Sequence, residues 1–274
     1  MHLAIFGATG GVGRHLVSQA LAEGHRVTAF TRDAAWLETP GPDLDVVEGD
    51  ILDGTAAAES ITADVPGADV AAFETDISNE AACLKLVDDV VARFGGLHIL
   101  INNAAVTYFT QVVDFSKKHF DLMFRVQVEA PFHLSQLVLP SMLERGHGSI
   151  LNISSHAAIH PAKDVGGRGG TVYGMCKASL ERLTTGLAAE VFGQGINVNV
   201  ISPGLVATPG TLHHHLITDE TPEERVTPVA HMAEACLYLV SADPSEATGW
   251  VAYADDLMQR FSLSPAVLPP LQGL

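Results

Sequence analysis

This 274-residue chain contains a tyrosine and a lysine four residues apart that could act together in acid–base catalysis. Tyr173 and Lys177 fall at the start of a predicted helix, where this spacing places both side chains on one face. A free phenol has a pKa of about 10, and lowering it by about 3 units means favouring the phenolate by roughly 4 kcal/mol. A partly desolvated ammonium beside the ring could do this, and the pair would then serve as an acid and base. The alternative is a packed ring and a solvated amine, because this spacing is common in helices.

A glycine cluster at residues 7–13 lies between the first predicted strand and the first predicted helix. Glycines there allow a tight turn and let backbone N–H groups approach a pyrophosphate at the helix N-terminus. The second predicted strand is followed by Thr31 and Arg32, where a dinucleotide fold usually places an acid for the ribose hydroxyls. A guanidinium at this point suits a 2′-phosphate and favours NADP(H) over NAD(H). In the alternative, Arg32 is solvated and Asp33 takes the ribose.

Short apolar runs alternate with helical periodicity along most of the chain, which is typical of βαβ units on a parallel sheet. The predicted strands are residues 2–6, 26–30, 98–101, 149–153, 196–201 and 250–253. Apolar spacing also predicts a helix through residues 180–191 and another that begins with Thr227 as N-cap and Pro228 in the first turn. These elements would place the glycine cluster, Tyr173 and Lys177 around one sheet.

The composition excludes several classes of protein. Acidic residues outnumber basic ones by 32 to 15, so a nucleic-acid or anionic-membrane partner, which needs clustered cations, is not expected. A hydrophobic content of 47% excludes a disordered chain. The cysteines at 83, 176 and 236 are far apart and predict reduced core thiols. Neither a signal peptide nor a run of about 18 apolar residues is present, so we expect a soluble, cytoplasmic protein.

Five motifs, in a fixed order, carry a resemblance to a known family. They are the glycine cluster, Asn102-Asn103-Ala104-Ala105, Ser154-Ser155, Tyr173-x-x-x-Lys177 and Pro203-Gly204-x-Val206-x-Thr208. From residue 2 to about residue 257 the chain resembles the short-chain dehydrogenases/reductases. The resemblance implies an α/β fold, with a single Rossmann-type domain and a doubly wound parallel sheet of about seven strands flanked by helices. It also implies a homodimer or homotetramer that acts on a small-molecule alcohol or carbonyl compound.

The same resemblance implies roles for individual residues. Tyr173 would give or take the proton, Lys177 would lower its pKa and hold the nicotinamide ribose, and Ser155, the second serine of its pair, would orient the carbonyl. The implied cofactor-binding residues are Gly7, Thr9, Gly10, Gly11, Val12, Gly13, Asp76, Ile77, Asn102, Ala104, Tyr173, Lys177, Pro203, Gly204, Val206 and Thr208, to which the second strand adds Arg32. No metal site is predicted.

Two departures from the family pattern bear on activity. Gln127 stands where the family usually has an asparagine that completes a proton relay, so that role is not carried over. Ser155 precedes Tyr173 by 18 residues, which is longer than the usual gap in the family. The glycine-rich residues 166–170 lie between them and predict a loop bulge beside the substrate pocket.

The amino-terminal part resembles a different branch of the superfamily. Residues 2–53 resemble its atypical, sugar-epimerase-like or regulatory members, whereas the part after about residue 69 resembles the core-length oxidoreductases. Residues 47–51 and 73–77 share Glu, Asp and Ile at the same spacing, and each segment lies at the end of a possible third strand. Chance similarity of two short strands is the alternative. Asp76 precedes Asn102 by 26 residues, about the family distance for the acid that binds the adenine, whereas Asp50 precedes it by 52. Asp76 is therefore favoured, with residues 46–48 as an added edge strand or loop.

These features predict one domain over residues 1–261, with an insertion or duplicated strand within 34–68 and a loose tail at 262–274. They also predict an NAD(P)-dependent oxidoreductase that transfers a hydride between a nicotinamide cofactor, preferably NADP(H), and a secondary alcohol or ketone. The alternative is a non-catalytic or weakly active dinucleotide-binding regulatory protein, which Gln127 and the atypical amino-terminal part motivate. A sugar-nucleotide epimerase is disfavoured because only about 70 residues follow residue 204, too few for a separate sugar-nucleotide domain.

Overall fold

A single parallel sheet runs through the computed structural model of the chain. The structure describes residues 2–6, 26–31, 44–48, 73, 75–163, 169–207, 211, 216–218 and 220–265. The strands are β1 (His2–Phe6), β2 (Arg26–Thr31), β3 (Leu44–Glu48), β4 (Ile99–Asn102), β5 (Gly148–Ile153), β6 (Ile196–Ser202) and β7 (Val251–Tyr253). The predicted glycine cluster, Arg32 and Thr208 lie outside the described residues.

The strand order is β3-β2-β1-β4-β5-β6-β7, and every pair is parallel. The chain therefore builds outward from β1 to β3, crosses back to place β4 beside β1, and continues to the opposite edge. In open α/β sheets a ligand binds at the carboxyl ends of the strands where the direction of building reverses, here between β1 and β4. The predicted doubly wound α/β sheet of about seven strands is confirmed.

Helices cover both faces of the sheet. They are α1 (Glu80–Phe94), α2 (Lys117–Phe124), α3 (Ala130–Arg145), α4 (Thr171–Glu190), α5 (Val229–Ser241) and α6 (Ala254–Phe261). A π-helical turn, Arg125–Glu129, joins α2 to α3, and such turns are frequent at functional sites. Within the described residues, no helix is long and apolar enough to cross a bilayer.

The core consists of two apolar layers that share the strands between them. In β4, Ile99 and Ile101 pack in the layer that contains α5 and α6, whereas Leu100 packs in the layer that contains α1 and α3. This alternation is the two-residue period of a strand with helices on both sides. The cysteines predicted as core thiols, Cys83, Cys176 and Cys236, are free and buried on helices, as expected.

One of the two segments predicted to end a third strand lies in the sheet. The edge strand expected at residues 46–48 is present as β3, but Phe73 and residues 75–77 are not part of any strand. Instead, the Asp76 carboxylate accepts a hydrogen bond from the Ser78 N–H at 2.9 Å, and Asn79 caps α1 by accepting from Ala82 N–H at 3.2 Å. Such local bonds compete with a strand ladder at residues 75–79. The residues before Phe73, where a second copy of the strand would run, lie outside the described residues, so the second copy stays a prediction.

The start of α5 also differs from the prediction. Pro228, rather than Thr227, occupies the N-cap, and no side chain caps the helix. The Thr227 hydroxyl donates to Asp255 Oδ2 at 2.7 Å, across to the first turn of α6. Because a tertiary partner takes the hydroxyl, the prediction of Thr227 as N-cap is wrong.

Candidate active site

One face of α4 contacts the carboxyl end of β5 and the serine that follows it through three side-chain hydrogen bonds. The Ser155 hydroxyl is hydrogen-bonded to the phenol of Tyr173, and Lys177 Nζ donates to Ile153 O at 2.8 Å. Further along the helix, Thr184 Oγ1 accepts from Asn152 Nδ2 at 2.9 Å. Positions 173, 177 and 184 share a helical face, so α4 is held in one register on the strand. The three predicted catalytic residues are thereby brought together.

The two neighbouring serines have different partners. Ser154 is buried, and its hydroxyl donates to Glu181 Oε1 at 2.7 Å. Ser155 begins a 3-10 turn, His156–Ala158, and its Oγ also accepts from Ala157 N–H at 3.2 Å. This geometry agrees with the choice of the second serine as the one that faces the tyrosine.

A glycine on α4 lets the helix approach the serine turn. A Cβ at Gly174 would lie 2.6 Å from Ala157 O, which is closer than van der Waals contact permits. Any larger residue would push α4 away from the turn that carries Ser155. The hydrogen bond between Ser155 and Tyr173 therefore depends on the missing side chain at position 174.

Burial controls the electrostatics of the tyrosine and the lysine. Lys177 is 3% exposed, and desolvation lowers its pKa to about 8. Desolvation raises the pKa of Tyr173 above its ordinary value, while the hydrogen bond from Ser155 acts in the opposite direction. The Lys177 Nζ lies 5.6 Å from the centroid of the tyrosine ring. The net direction for the Tyr173 pKa is upward, in contrast to the lowering that the sequence predicts for the working site.

A chain of buried amides orients Asn102 at the carboxyl end of β4. Asn102 Nδ2 donates to Asn152 Oδ1 at 2.8 Å, and Asn152 in turn donates to Thr184, whose hydroxyl donates to Leu180 O at 2.8 Å. Asn102 and Asn152 are also direct register partners in the sheet. Because each member has a partner, the Asn102 side chain has one defined orientation beside the point where the sheet reverses.

Other predicted cofactor-binding residues gather around Asn102. Ile77 and Ala104 line a small cleft with Asn102 against the first turns of α3. Asp76, next to Ile77, is exposed in the turn before α1. Asp50, the other candidate for the adenine, lies outside the described residues.

The segment after β6 is held by a network that the sequence does not reveal. Thr227 N–H donates to Leu205 O at 2.8 Å, and the Asp255 carboxylate links the Thr227 hydroxyl to His231 Nδ1, 3.1 Å away. Gly204 has φ +77°, and a Cβ there would lie 2.5 Å from Thr227 Oγ1. Pro203, half-buried, and Val206, buried, flank this glycine. No sequence motif marks Thr227, Asp255 or His231, because their partners are distant in sequence.

Gln127 lies buried in the π-helical turn. Its Nε2 donates to Val106 O at 2.8 Å, in the segment that follows β4. Its Oε1 is buried and has no hydrogen-bond partner among the described residues. The amide thus fastens the segment after β4 to the turn between α2 and α3.

The chain matches two family models. Residues 43–256 match the family described as enoyl-(acyl carrier protein) reductase, and residues 3–74 match the NAD dependent epimerase/dehydratase family. The two matches overlap in the region where the resemblance changes along the sequence. The predicted likeness of the amino-terminal part to sugar-epimerase-like proteins is confirmed.

Named relatives agree with these matches. The chain is 34% identical over 218 residues to a 3-alpha-(or 20-beta)-hydroxysteroid dehydrogenase of Mycobacterium tuberculosis, covering 74% of this chain and 75% of that protein. It is 31% identical over 186 residues to the 4-formylbenzenesulfonate dehydrogenase of Comamonas testosteroni, covering 64% and 71%. A solved structure described as a short chain dehydrogenase/reductase family protein has a TM-score of 0.70 and 30% identity, covering 92% of this chain and 94% of that one.

Proposed function

Because the chain belongs to the short-chain dehydrogenase/reductase superfamily of NAD(P)-dependent oxidoreductases, we propose that it interconverts a ketone and a secondary alcohol. One observation carries the proposal. The Tyr173 phenol, the Ser155 hydroxyl and the Lys177 ammonium converge at the carboxyl end of β5, beside the centre of the sheet. They supply a proton, a carbonyl donor and a positive charge within one site.

In the reducing direction, Tyr173 donates its proton to the carbonyl oxygen and becomes a phenolate. A reduced nicotinamide cofactor, for which Asn102 and Lys177 are proposed binding residues, would supply the hydride for the carbonyl carbon, which balances the reaction to the alcohol and the oxidised cofactor. The raised pKa of Tyr173 keeps the phenol protonated before the step, and the Ser155 hydrogen bond stabilises the phenolate after it. The Lys177 ammonium, on one side of the Tyr173 ring, contributes a positive charge that favours the phenolate. Oxidation of the alcohol reverses each step.

The described residues fit a dinucleotide at the reversal point of the sheet. Asn102, Ile77 and Ala104 line the cleft beside β4, and Gly204 allows the chain after β6 to turn close to the nicotinamide end. We assign the adenine to Asp76 and Ile77, and the pyrophosphate to the glycine cluster. Arg32 would bind a 2′-phosphate, which makes NADP(H) the preferred cofactor.

The test is a titration with NADPH and NADH, followed by assays with a panel of ketones. Tighter binding of NADPH that is lost in Arg32→Ala but kept in Asp33→Ala supports the cofactor assignment. Oxidation of bound NADPH on addition of a ketone supports the reaction. Binding of neither cofactor would overturn the proposal.

A non-catalytic dinucleotide-binding protein is the second candidate function. Gln127 favours it, because its Nε2 is engaged by Val106 O and it replaces the asparagine that completes the proton relay in the family pattern. This candidate predicts normal NADPH binding and no oxidation with any carbonyl compound in the panel. The turnover assay therefore separates the two candidates.

Assembly into a homodimer or homotetramer through α3 and α4 is part of the proposal. Phe132 on α3 and Met175 on α4 are large apolar side chains with about half of their surface exposed. Light scattering measures the assembly directly. Phe132→Glu should shift it toward the monomer, whereas a native chain that is monomeric at all concentrations would refute this point.

A further inference from the structure

An aromatic ring lies against the candidate proton donor. The Phe109 ring meets the Tyr173 ring edge to face, with centroids 5.9 Å apart and an interplanar angle of 65°. Phe109 lies seven residues beyond the end of β4, in the segment that follows Asn102. Because it contacts the Tyr173 ring, Phe109 lies next to the group that would meet a carbonyl.

Two glycines before α4 hold this ring in place. Thr110 N–H donates to Gly169 O at 3.2 Å, and a Cβ at Gly169 would lie 2.4 Å from the Thr110 carbonyl carbon. A Cβ at Gly170 would lie 3.9 Å from Phe109 Cε1, an ordinary van der Waals distance, so the ring lies beside this glycine. The extra residues between Ser155 and Tyr173 thus end in a backbone contact that fixes Phe109.

The surroundings of the Tyr173 ring are apolar. Tyr173 packs with Met123, Val172 and Cys176 in a small cluster that also takes side chains from the segment after β4. The segments that carry Phe109 and Ser155 continue into exposed apolar residues, with Val113 89% and Ile159 54% exposed. The two segments that carry Phe109 and Ser155 thus both present exposed apolar side chains, and a contiguous surface of this kind is typical of ligand-binding sites.

We propose that Phe109 determines substrate specificity, and that the site takes carbonyl compounds with a flat apolar group, such as an aryl or fused ring, beside the carbonyl. The ring of such a substrate stacks on or abuts Phe109 while its carbonyl oxygen faces Tyr173 and Ser155. Gly169 and Gly170 keep Phe109 in this position. The inference rests on the proposed ketone reduction.

The test compares kcat/KM for acetophenone with that for cyclohexyl methyl ketone and 2-butanone, using the native protein with NADPH. The aryl and cyclohexyl ketones have nearly the same size, so the first ratio reports flatness rather than volume. We expect a preference for acetophenone that falls about tenfold in Phe109→Leu, and that Phe109→Tyr retains. Phe192→Ala, which removes an exposed ring beyond the far end of α4, serves as the matched control and should leave the ratio unchanged.

Three outcomes separate this inference from the proposed function. A preference for acetophenone that depends on an aromatic residue at position 109 supports both. Ketone reduction without such a preference, or with one that Phe109→Leu retains, overturns the role of Phe109 and leaves the proposed function standing. NADPH binding without reduction of any of the three ketones overturns both. Circular dichroism and the NADPH Kd of each variant show that it is folded.

Discussion

Asn152→Ala should destabilise the protein and weaken cofactor binding together. The Asn152 side chain is buried, accepts from Asn102 Nδ2 and donates to Thr184 Oγ1. Each lost hydrogen bond costs about 1 kcal/mol net, and the Asn102 N–H left buried without a partner costs about 1 to 3 kcal/mol more. From these terms we expect the free energy of unfolding to fall by about 3 to 5 kcal/mol.

Urea denaturation at neutral pH measures this loss, and fluorescence titration with NADPH measures the second effect. Thr184→Val is the matched control, because it removes the two hydrogen bonds of the Thr184 hydroxyl, to Asn152 and to Leu180 O, and leaves Asn102 with its partner. By the same accounting it should cost a comparable free energy, about 3 to 5 kcal/mol, and leave the NADPH Kd unchanged. A loss below about 0.5 kcal/mol in Asn152→Ala, or an equal effect of both variants on the Kd, would refute the reasoning, because surface substitutions alone span that range.

Two further predictions concern charge and backbone. The pKa of Lys177 is lowered from 10.5 to about 8, so the unfolded chain binds more protons between these values and stability rises with pH there. Relative to Lys177→Met, the native chain should gain about 3 kcal/mol of unfolding free energy from pH 8 to pH 10.5, and parallel urea curves with no such gain would contradict the burial of the charge. Gly169→Ala should cost more stability than Gly193→Ala, because both have positive φ but only the first places its Cβ against backbone. Equal midpoints in urea would show that the contact between Gly169 and Thr110 is absent.

The strands of the sheet could be predicted from the sequence because the pattern that marks each strand lies within a few consecutive residues. Apolar runs with turns on either side give strands, and strands β1, β2, β4, β5, β6 and β7 appear within one or two residues of the predicted bounds. Tyr173 and Lys177 share a helical face by spacing alone, which the structure bears out. Their contact with Ser155 came from the family resemblance, since no local signal links residues on different elements.

Predictions from the sequence missed features that depend on hydrogen bonds or packing with particular partner residues. Residues 73–77 resemble the end of β3 in sequence, but Asp76 and Asn79 accept hydrogen bonds from nearby backbone N–H groups ahead of α1. Thr227 looks like an N-cap, but its hydroxyl has a partner 28 residues away. Phe109 carries no motif, and only the packing of Gly169 and Gly170 shows what it does. The π-helical turn at Gln127 likewise depends on Val106, which lies in another element.

The central claim is that Tyr173 transfers the proton, and Tyr173→Phe tests it most directly. This variant keeps the ring that packs against Phe109 and removes only the hydroxyl that Ser155 contacts. The measurement is ketone reduction with NADPH, together with the NADPH Kd, for the native and variant proteins. We predict a loss of turnover of about 10² or more with an unchanged Kd, which is the size expected for a general acid. Full turnover in Tyr173→Phe would contradict the account.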